Sequence, residues 1–300
     1  MKKGRSLLVI SAFAMSFSVA FGQGGDYAFK VLANKGTNEV KSGNSWVAIK
    51  TGAALKKEDE LKLAENSYIG LVSVGGKPLE LKASGNYKVS DLLSQVANGA
   101  SVLNKYTDFL LSSNSAEAKK NRLSATGAVH RGVEMKLYLP ENNNADVFNN
   151  VVILNWEAKH GPYIVTLKNM FDEQLGVIET PETSTTVDLN AKEYANESAI
   201  LVEVMSKGDG KLKSLQHLVK RMNPAQTEKI KKDMADFGTS VSDETALNKF
   251  ILAGFYEEHK LYIDAATAYQ QAIKMAPDVP SYKEAYDDFL IRNGFKTVAP

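Results

Sequence analysis

The chain has 300 residues, 44% of them apolar, with 36 Lys and Arg against 35 Asp and Glu. That near balance excludes the basic footprint of a nucleic-acid binder. The absence of any cysteine excludes disulfides and leaves stability to burial, and the length suits two or three domains.

The chain begins with a positive stretch, Lys2, Lys3 and Arg5, followed by a mostly apolar run from Leu7 to Phe21 and small residues around Ala20-Phe21-Gly22. This pattern predicts a secretory signal peptide over residues 1–22, cleaved after Gly22 and too short for a membrane anchor. No cysteine follows the site, so no lipid anchor is expected. Without its three basic residues the chain carries a formal charge of −2. No later run reaches the roughly 18 apolar residues a spanning helix needs, so no transmembrane segment is expected in the mature chain.

Residues 27–112 read as short strands followed by a helix. Strands are predicted at Ala28–Leu32, Trp46–Ile49, Glu60–Leu63, Tyr68–Val72 and Leu79–Leu81, separated by turn formers such as Ser42-Gly43-Asn44, Glu65-Asn66-Ser67 and Gly75-Gly76-Lys77-Pro78. Leu92, Val96, Gly99, Leu103, Tyr106 and Leu110 then recur at helical spacing. The pieces Lys35-Gly36…Val40, Trp46-Val47-Ala48-Ile49, Thr51-Gly52-Ala53-Ala54-Leu55, Asp59-Glu60-Leu61 and Ser67-Tyr68-Ile69-Gly70-Leu71 resemble the periplasmic β domain of FecR-like proteins over about 60 residues. Well-known members of that family are transmembrane regulators with a cytoplasmic head. This chain has neither head nor membrane helix, so the resemblance implies the β domain and not that role.

Residues 113–127 are polar, with Ser113-Asn114-Ser115 and Lys119-Lys120-Asn121-Arg122, and are expected to form a linker. Residues 128–207 form a second β region with predicted strands at Glu134–Leu139, Val151–Trp156, Tyr163–Lys168, Gly176–Glu179, Thr185–Leu189 and Ile200–Met205. Trp156 on an inward position, with Gly161-Pro162 as a turn, resembles an immunoglobulin-like sandwich. The run Glu141–Asp146 could offer oxygen ligands to calcium but lacks the glycine and distal Glu of an EF-hand loop, and a solvated loop is expected.

A helical domain is expected over residues 211–296. Leu212, Leu215, Leu218, Val219 and Met222 suggest a first helix face. Asn223-Pro224-Ala225-Gln226 has a capping Asn, Pro in the first turn and Gln three residues after the cap, which starts a helix; Gly238 is placed to end it. Residues 246–279 resemble one tetratricopeptide repeat (TPR), a helix pair in which Leu252, Ala253, Tyr256, Ala265, Tyr269, Ala272 and Pro277 fall on the repeat's positions. A capping helix is predicted at 281–293, with Ser281 and Glu284 as its capping box. A single repeat cannot bury both its faces, so packing against the rest of the chain is expected. If a groove exists for a partner protein or peptide, Lys249, Tyr256, Tyr269 and Gln270 are the candidate contacts.

Little points to catalysis. His130, His160, His217 and His259 have no metal-ligand spacing, no serine sits in a nucleophile elbow, and no phosphate loop occurs. No cofactor, metal or catalytic residue is expected. Trp46 and Trp156 are assigned to cores, although Trp46, Tyr68 and Tyr87 on one face would instead suit sugar stacking.

The fold class expected is multidomain α+β: a small all-β FecR-like domain plus helix, a β-sandwich and a C-terminal α-helical TPR-like unit. The combination resembles exported envelope proteins of Bacteroidetes-type bacteria. It implies a periplasmic, non-catalytic scaffold or adaptor for an envelope protein or peptide. Glycan or peptidoglycan binding through the β domains, and an enzyme site assembled between domains, are the alternatives.

Overall fold

Fifteen strands and seven helices are present among residues 27–96, 102–125, 135–140, 144–235, 237 and 244–296, which a computed structural model of the chain describes. The class is α+β, with a helical C-terminal part. Residues 1–22 and Gly238 lie outside the described residues.

The first β unit holds β1 (Phe29–Lys35), β2 (Asn38–Ser42), β3 (Ser45–Ala48), β4 (Ala54–Leu55), β5 (Glu60–Leu63), β6 (Tyr68–Ser73), β7 (Pro78–Leu81) and β8 (Gly85–Lys88). They form two antiparallel sheets, β4-β1-β6-β7 and β3-β2-β5-β8, around Phe29, Val31, Leu55, Leu61, Ile69 and Leu71. The expected turns do their work: Gly43, Asn66 and Gly76 adopt positive φ, where glycine and asparagine cost least. β2 and β8 were not expected, because Asn38–Ser42 and Gly85–Lys88 are mainly polar. Their register with β5 turns Leu61, Val40 and Tyr87 inward.

Trp46 departs from its core assignment. It pairs with Lys41 on the outward face of the β3-β2-β5-β8 sheet, and the Lys41 and Lys62 ammonium groups lie 5.9 and 5.8 Å from its ring. β3 is an edge strand, so nothing in that sheet flanks it beyond β2.

The single helix expected after β8 is two, α1 (Val89–Gln95) and α2 (Val102–Ser113). The expected linker is also corrected: α3 (Ala116–Ala125) fills most of it. Ser115 accepts the Ala118 N–H at 3.2 Å, as an N-cap does, and Lys119 pairs with Asp288 at 2.9 Å. The sequence of α3 has almost no apolar stripe, which is the signal periodicity depends on.

The second β unit comprises β9 (Asn144–Val147), β10 (Val151–Asn155), β11 (Tyr163–Lys168), β12 (Gln174–Thr180), β13 (Ser184–Asp188), β14 (Ala199–Ser206) and β15 (His217–Arg221). A five-stranded sheet, β12-β11-β14-β15-β9, and a β10-β13 pair enclose Trp156, Val165, Leu167, Val187, Val202 and Val204. Three expectations fail here. Residues 135–139 make only a bridge from Leu137 to Trp156 instead of a strand. The part of the expected solvated loop 141–146 that is described, Asn144 to Asp146, belongs to β9, paired in parallel with β15. The expected helix over 212–222 is not formed: Leu218 and Val219 lie in β15, where His217 and Val219 alternate inward, and Leu212, Leu215 and Met222 lie outside any helix or strand; five residues are too few to distinguish periods of two and 3.6. The helical part therefore begins at α4 (Pro224–Ala235), not at residue 211. Its expected capping box is formed: Gln226 N–H donates to Asn223 Oδ1 at 2.9 Å, and Asn223 N–H to Gln226 Oε1 at 3.3 Å.

α5 (Ala246–Glu258), α6 (Tyr262–Met275) and α7 (Pro280–Arg292) complete the chain. α5 and α6 are the helix pair anticipated at 246–279. Ala253, Ala265 and Ala272 are fully buried, which lets the two backbones approach. α7 starts with Pro280 at its first turn, and the Ser281–Glu284 box is not made. Ser281 Oγ instead faces the Asn34 backbone, 3.4 Å from its N–H and 3.5 Å from its carbonyl.

One core joins these helices to α2 and to β1 and β6, through Leu32, Ala33, Tyr68, Leu103, Tyr106 and Leu110. Gly254 on α5 makes the α2 contact: a Cβ there would lie 2.8 Å from Leu110 Cγ, a buried atom. Gly254→Val is therefore expected to destabilise the fold by about 2 kcal/mol through overpacking, even though valine is the better helix former. A urea midpoint at or above wild type would contradict that packing.

Candidate functional site

The four residues singled out for a partner groove are drawn into the chain's own packing. Tyr269 is fully buried; its hydroxyl donates to Glu257 Oε2 at 3.1 Å and accepts from Arg292 Nη2 at 3.1 Å. Tyr256 is 5% exposed, and its hydroxyl accepts from Asn149 Nδ2 at 3.0 Å. Gln270 Nε2 donates to Asn155 Oδ1 on β10. Lys249 pairs with Glu244 at 2.8 Å. The four are not brought together on an open surface.

Gln270 belongs to a row the sequence reading did not recognise. Asp264, Thr267 and Gln270 follow at i, i+3 and i+6, so they share one face of α6. That face lies along the free edge of β10 and the turn before it. Asp264 accepts the backbone N–H groups of Phe148 and Asn149 at 2.9 and 2.8 Å, and Asn149 Nδ2 at 2.8 Å. Thr267 Oγ1 accepts the Ile153 N–H at 2.8 Å. The helix thus supplies acceptors where a neighbouring strand would. The i, i+3, i+6 spacing was in the sequence, but nothing there says which donors would face it.

Asp264 is 1% exposed. Burial pushes its carboxyl up from 3.8 to about 6, against the lowering effect of the three donors. Its place in the first turn of α6 favours the ionised form. His217 and His259 titrate below the usual histidine range because burial disfavours the charged ring.

Beside this seam a cleft of about 410 Å³ opens between the β9–β10 turn, the end of β15 and α4. Its lining is mainly polar, from Asn149, Asn150, Arg221, Thr227 and Lys231, with Val147, Phe148 and Met222 as the apolar members. Arg221 donates to the carbonyls of Glu197, Leu189 and Tyr194 and to Asn150 Oδ1, so its bonded partners are all neutral. The lining contains no carboxylate or histidine. Such a lining suits a negatively charged group with a small apolar part, and it holds no acid–base pair of carboxylate or histidine. Among the described residues, no group of three or more His, Cys, Asp or Glu could hold a metal ion, and no helix is long and apolar enough to cross a membrane.

Removing the Asp264 carboxyl takes the acceptor from the half-buried Phe148 and Asn149 backbone N–H groups, while the Asn149 amide keeps Tyr256. Asp264→Ala is expected to cost about 3–5 kcal/mol near pH 3.5, read from chemical denaturation. The pH dependence has a definite sign. The folded state keeps a proton that the unfolded chain releases near 3.8, so this group's stabilisation is full below about 3.8 and lost as pH rises through about 6. The gap between wild type and Asp264→Ala should therefore shrink by about 3 kcal/mol from pH 3.5 to pH 7. A gap that widens would show the donors outweighing burial.

No protein-family model matches the chain, and no curated protein does. Among solved structures, the Arg specific cysteine proteinase gingipain R aligns with 30% of this chain and 18% of its own, at 14% identity and a TM-score of 0.22. The complex of Porphyromonas gingivalis RgpB pro- and mature domains aligns with 30% of this chain and 19% of its own, at 16% identity and the same TM-score. This chain thus spans under a fifth of either structure. A likeness at that level carries no argument about fold or activity.

Proposed function

We propose that the protein is an exported, non-catalytic scaffold of the bacterial cell envelope. In this reading a FecR-like β domain with its helices and an immunoglobulin-like sandwich are held at fixed spacing by a TPR-like hairpin and its closing helix. The assembly presents β surfaces to an envelope protein or peptide in the periplasm. The signal-peptide pattern of residues 1–22 supports export. The observation that carries the scaffold reading is the use of the hairpin. Both of its helices are consumed in joining the two β units, α6 through its polar row and α5 through the shared core. A repeat that keeps no open groove serves spacing better than peptide capture.

The chain has no cysteine of its own, so paired spin labels can be placed at the exposed Val47 and Val177 in the full mature chain. A single narrow distance distribution between them is expected. A broad one would mean that the β units are flexibly tethered, and the scaffold reading would fall.

Glycan binding is favoured by one observation, the outward position of Trp46 beside Lys41 and Lys62. A ring flanked by ammonium groups suits a sugar bearing carboxylates. Tyr68 is buried and Tyr87 packs toward the core, so Trp46 has no aromatic row beside it. Trp156 is 1% exposed and serves as an internal reference. Soluble peptidoglycan fragments should quench the tryptophan emission of the wild type and leave that of Trp46→Phe unchanged. Absence of quenching in the wild type removes the glycan reading.

A further inference from the structure

The turn between β11 and β12 holds large apolar side chains in water. Phe171 is 85% exposed and Met170 53%, so two large apolar side chains stand side by side in water, where burial against a partner would be favourable. The turn itself is well held. The Asn169 side-chain oxygen accepts the Phe171 and Glu173 backbone N–H groups at 2.9 and 3.0 Å, and Lys168 pairs with Asp172 at 2.8 Å. The backbone that carries Phe171 is thus held in place, which reduces the ordering cost of binding.

Strand register puts this tip near the cleft described above. β11 ends at Lys168, which pairs with Leu201. Leu201 pairs with Leu218, and Ala199 with Lys220; Arg221 then pairs with Val147. Tip and cleft stand at the same end of one sheet, two to three strand spacings apart, about 10–14 Å. Phe171 remains exposed, so a molecule does not fill its own cleft. When two molecules pack end to end about a two-fold axis, each tip can meet the other's cleft, and both contacts form together.

The chemistry of the two parts is complementary. The cleft offers the cations Arg221 and Lys231 in a mainly polar lining, with Phe148, Met222 and the largely buried Val147 as its apolar members. The charge of Arg221 meets only neutral bonded groups, and Lys231 has the exposed Glu228 at 2.8 Å, a weak competitor. At the tip, Phe171 is followed by Asp172 and Glu173. The Glu173 carboxylate accepts from the neutral Asn169 amide at 2.7 Å, which leaves its charge open to a cation. We infer that a second copy of this chain covers this end of the sheet. The Phe171 ring of each copy fills the other's cleft, and Glu173 faces Arg221 and Lys231.

Sedimentation of the full mature chain over a concentration series tests this. The wild type should show a reversible monomer–dimer equilibrium. Phe171→Asp should weaken it by at least about 30-fold, the loss expected for one hot-spot anchor, without changing the melting temperature at dilutions where the wild type is monomeric, since the side chain is exposed. Lys231→Glu should weaken it by about tenfold, and adding Glu173→Lys to that variant should recover most of the loss. A wild type that stays monomeric into the sub-millimolar range, or a dimer indifferent to Phe171→Asp, overturns the inference. Neither result bears on the spacing of the β units within one molecule, which the spin-label distance reads separately.

Discussion

The α5–α6 hairpin is apolar on more sides than two helices can cover for each other, and the rest of the molecule is arranged around that constraint. In an array, flanking repeats would cover the open faces. Here α7 closes one side, α2 a second, and the two β units take what remains. Leu32, Ala33 and Tyr68 from the first β unit enter the helical core, and Ile263 of α6 enters the core of the second. The hairpin is therefore the common neighbour of both β units, and its burial couples their stability.

Polar contacts at these seams give the packing its register. Apolar contacts alone would tolerate a helix sliding along a strand edge, but the Asp264 carboxylate fits only where the Phe148 and Asn149 N–H groups converge. The Tyr68 and Tyr282 hydroxyls, 2.6 Å apart, fix α7 against β6 in the same way, and Leu247 N–H donates to Glu80 at 2.8 Å where α5 meets β7. Inside the bundle, Glu257 is held by Arg292, Asn293 and Tyr269. A buried ion pair of this kind adds little net stability and penalises any arrangement that leaves a member unpaired. These groups make one docking geometry costly to leave.

The legibility of the sequence followed from how local each signal is. Turns needing positive φ were visible at Gly43, Asn66 and Gly76, because glycine and asparagine have a conformational reason to be there. The Asn223–Gln226 box was visible because its two hydrogen bonds lie within four residues. The alternating strands β10, β11 and β14 were visible from their two-residue period. Segments without a local signature were misread. β9 looked like a solvated acidic loop because its reason for extension is a partner strand more than 70 residues away. α3 looked like a linker because its sequence has no apolar stripe. The Leu and Val residues of 212–222 matched helical spacing by chance, and β14 decided otherwise.

The candidate site was less legible still, for the same reason. Tyr256, Tyr269 and Gln270 lie on α5 and α6, but their exposure depends on what the helices pack against, and that is a long-range property. The Asp264 clamp, the outward Trp46 and the cleft at the sheet's end each combine residues distant in the chain. By itself the sequence determined the α+β class, the helix pair near the end and the requirement that this pair be covered, because hydrophobic period and small-residue spacing act over a few turns. Only the tertiary structure decided which surfaces cover the pair and which side chains remain in water, because burial is settled by contacts between segments whose separation along the chain carries no local record.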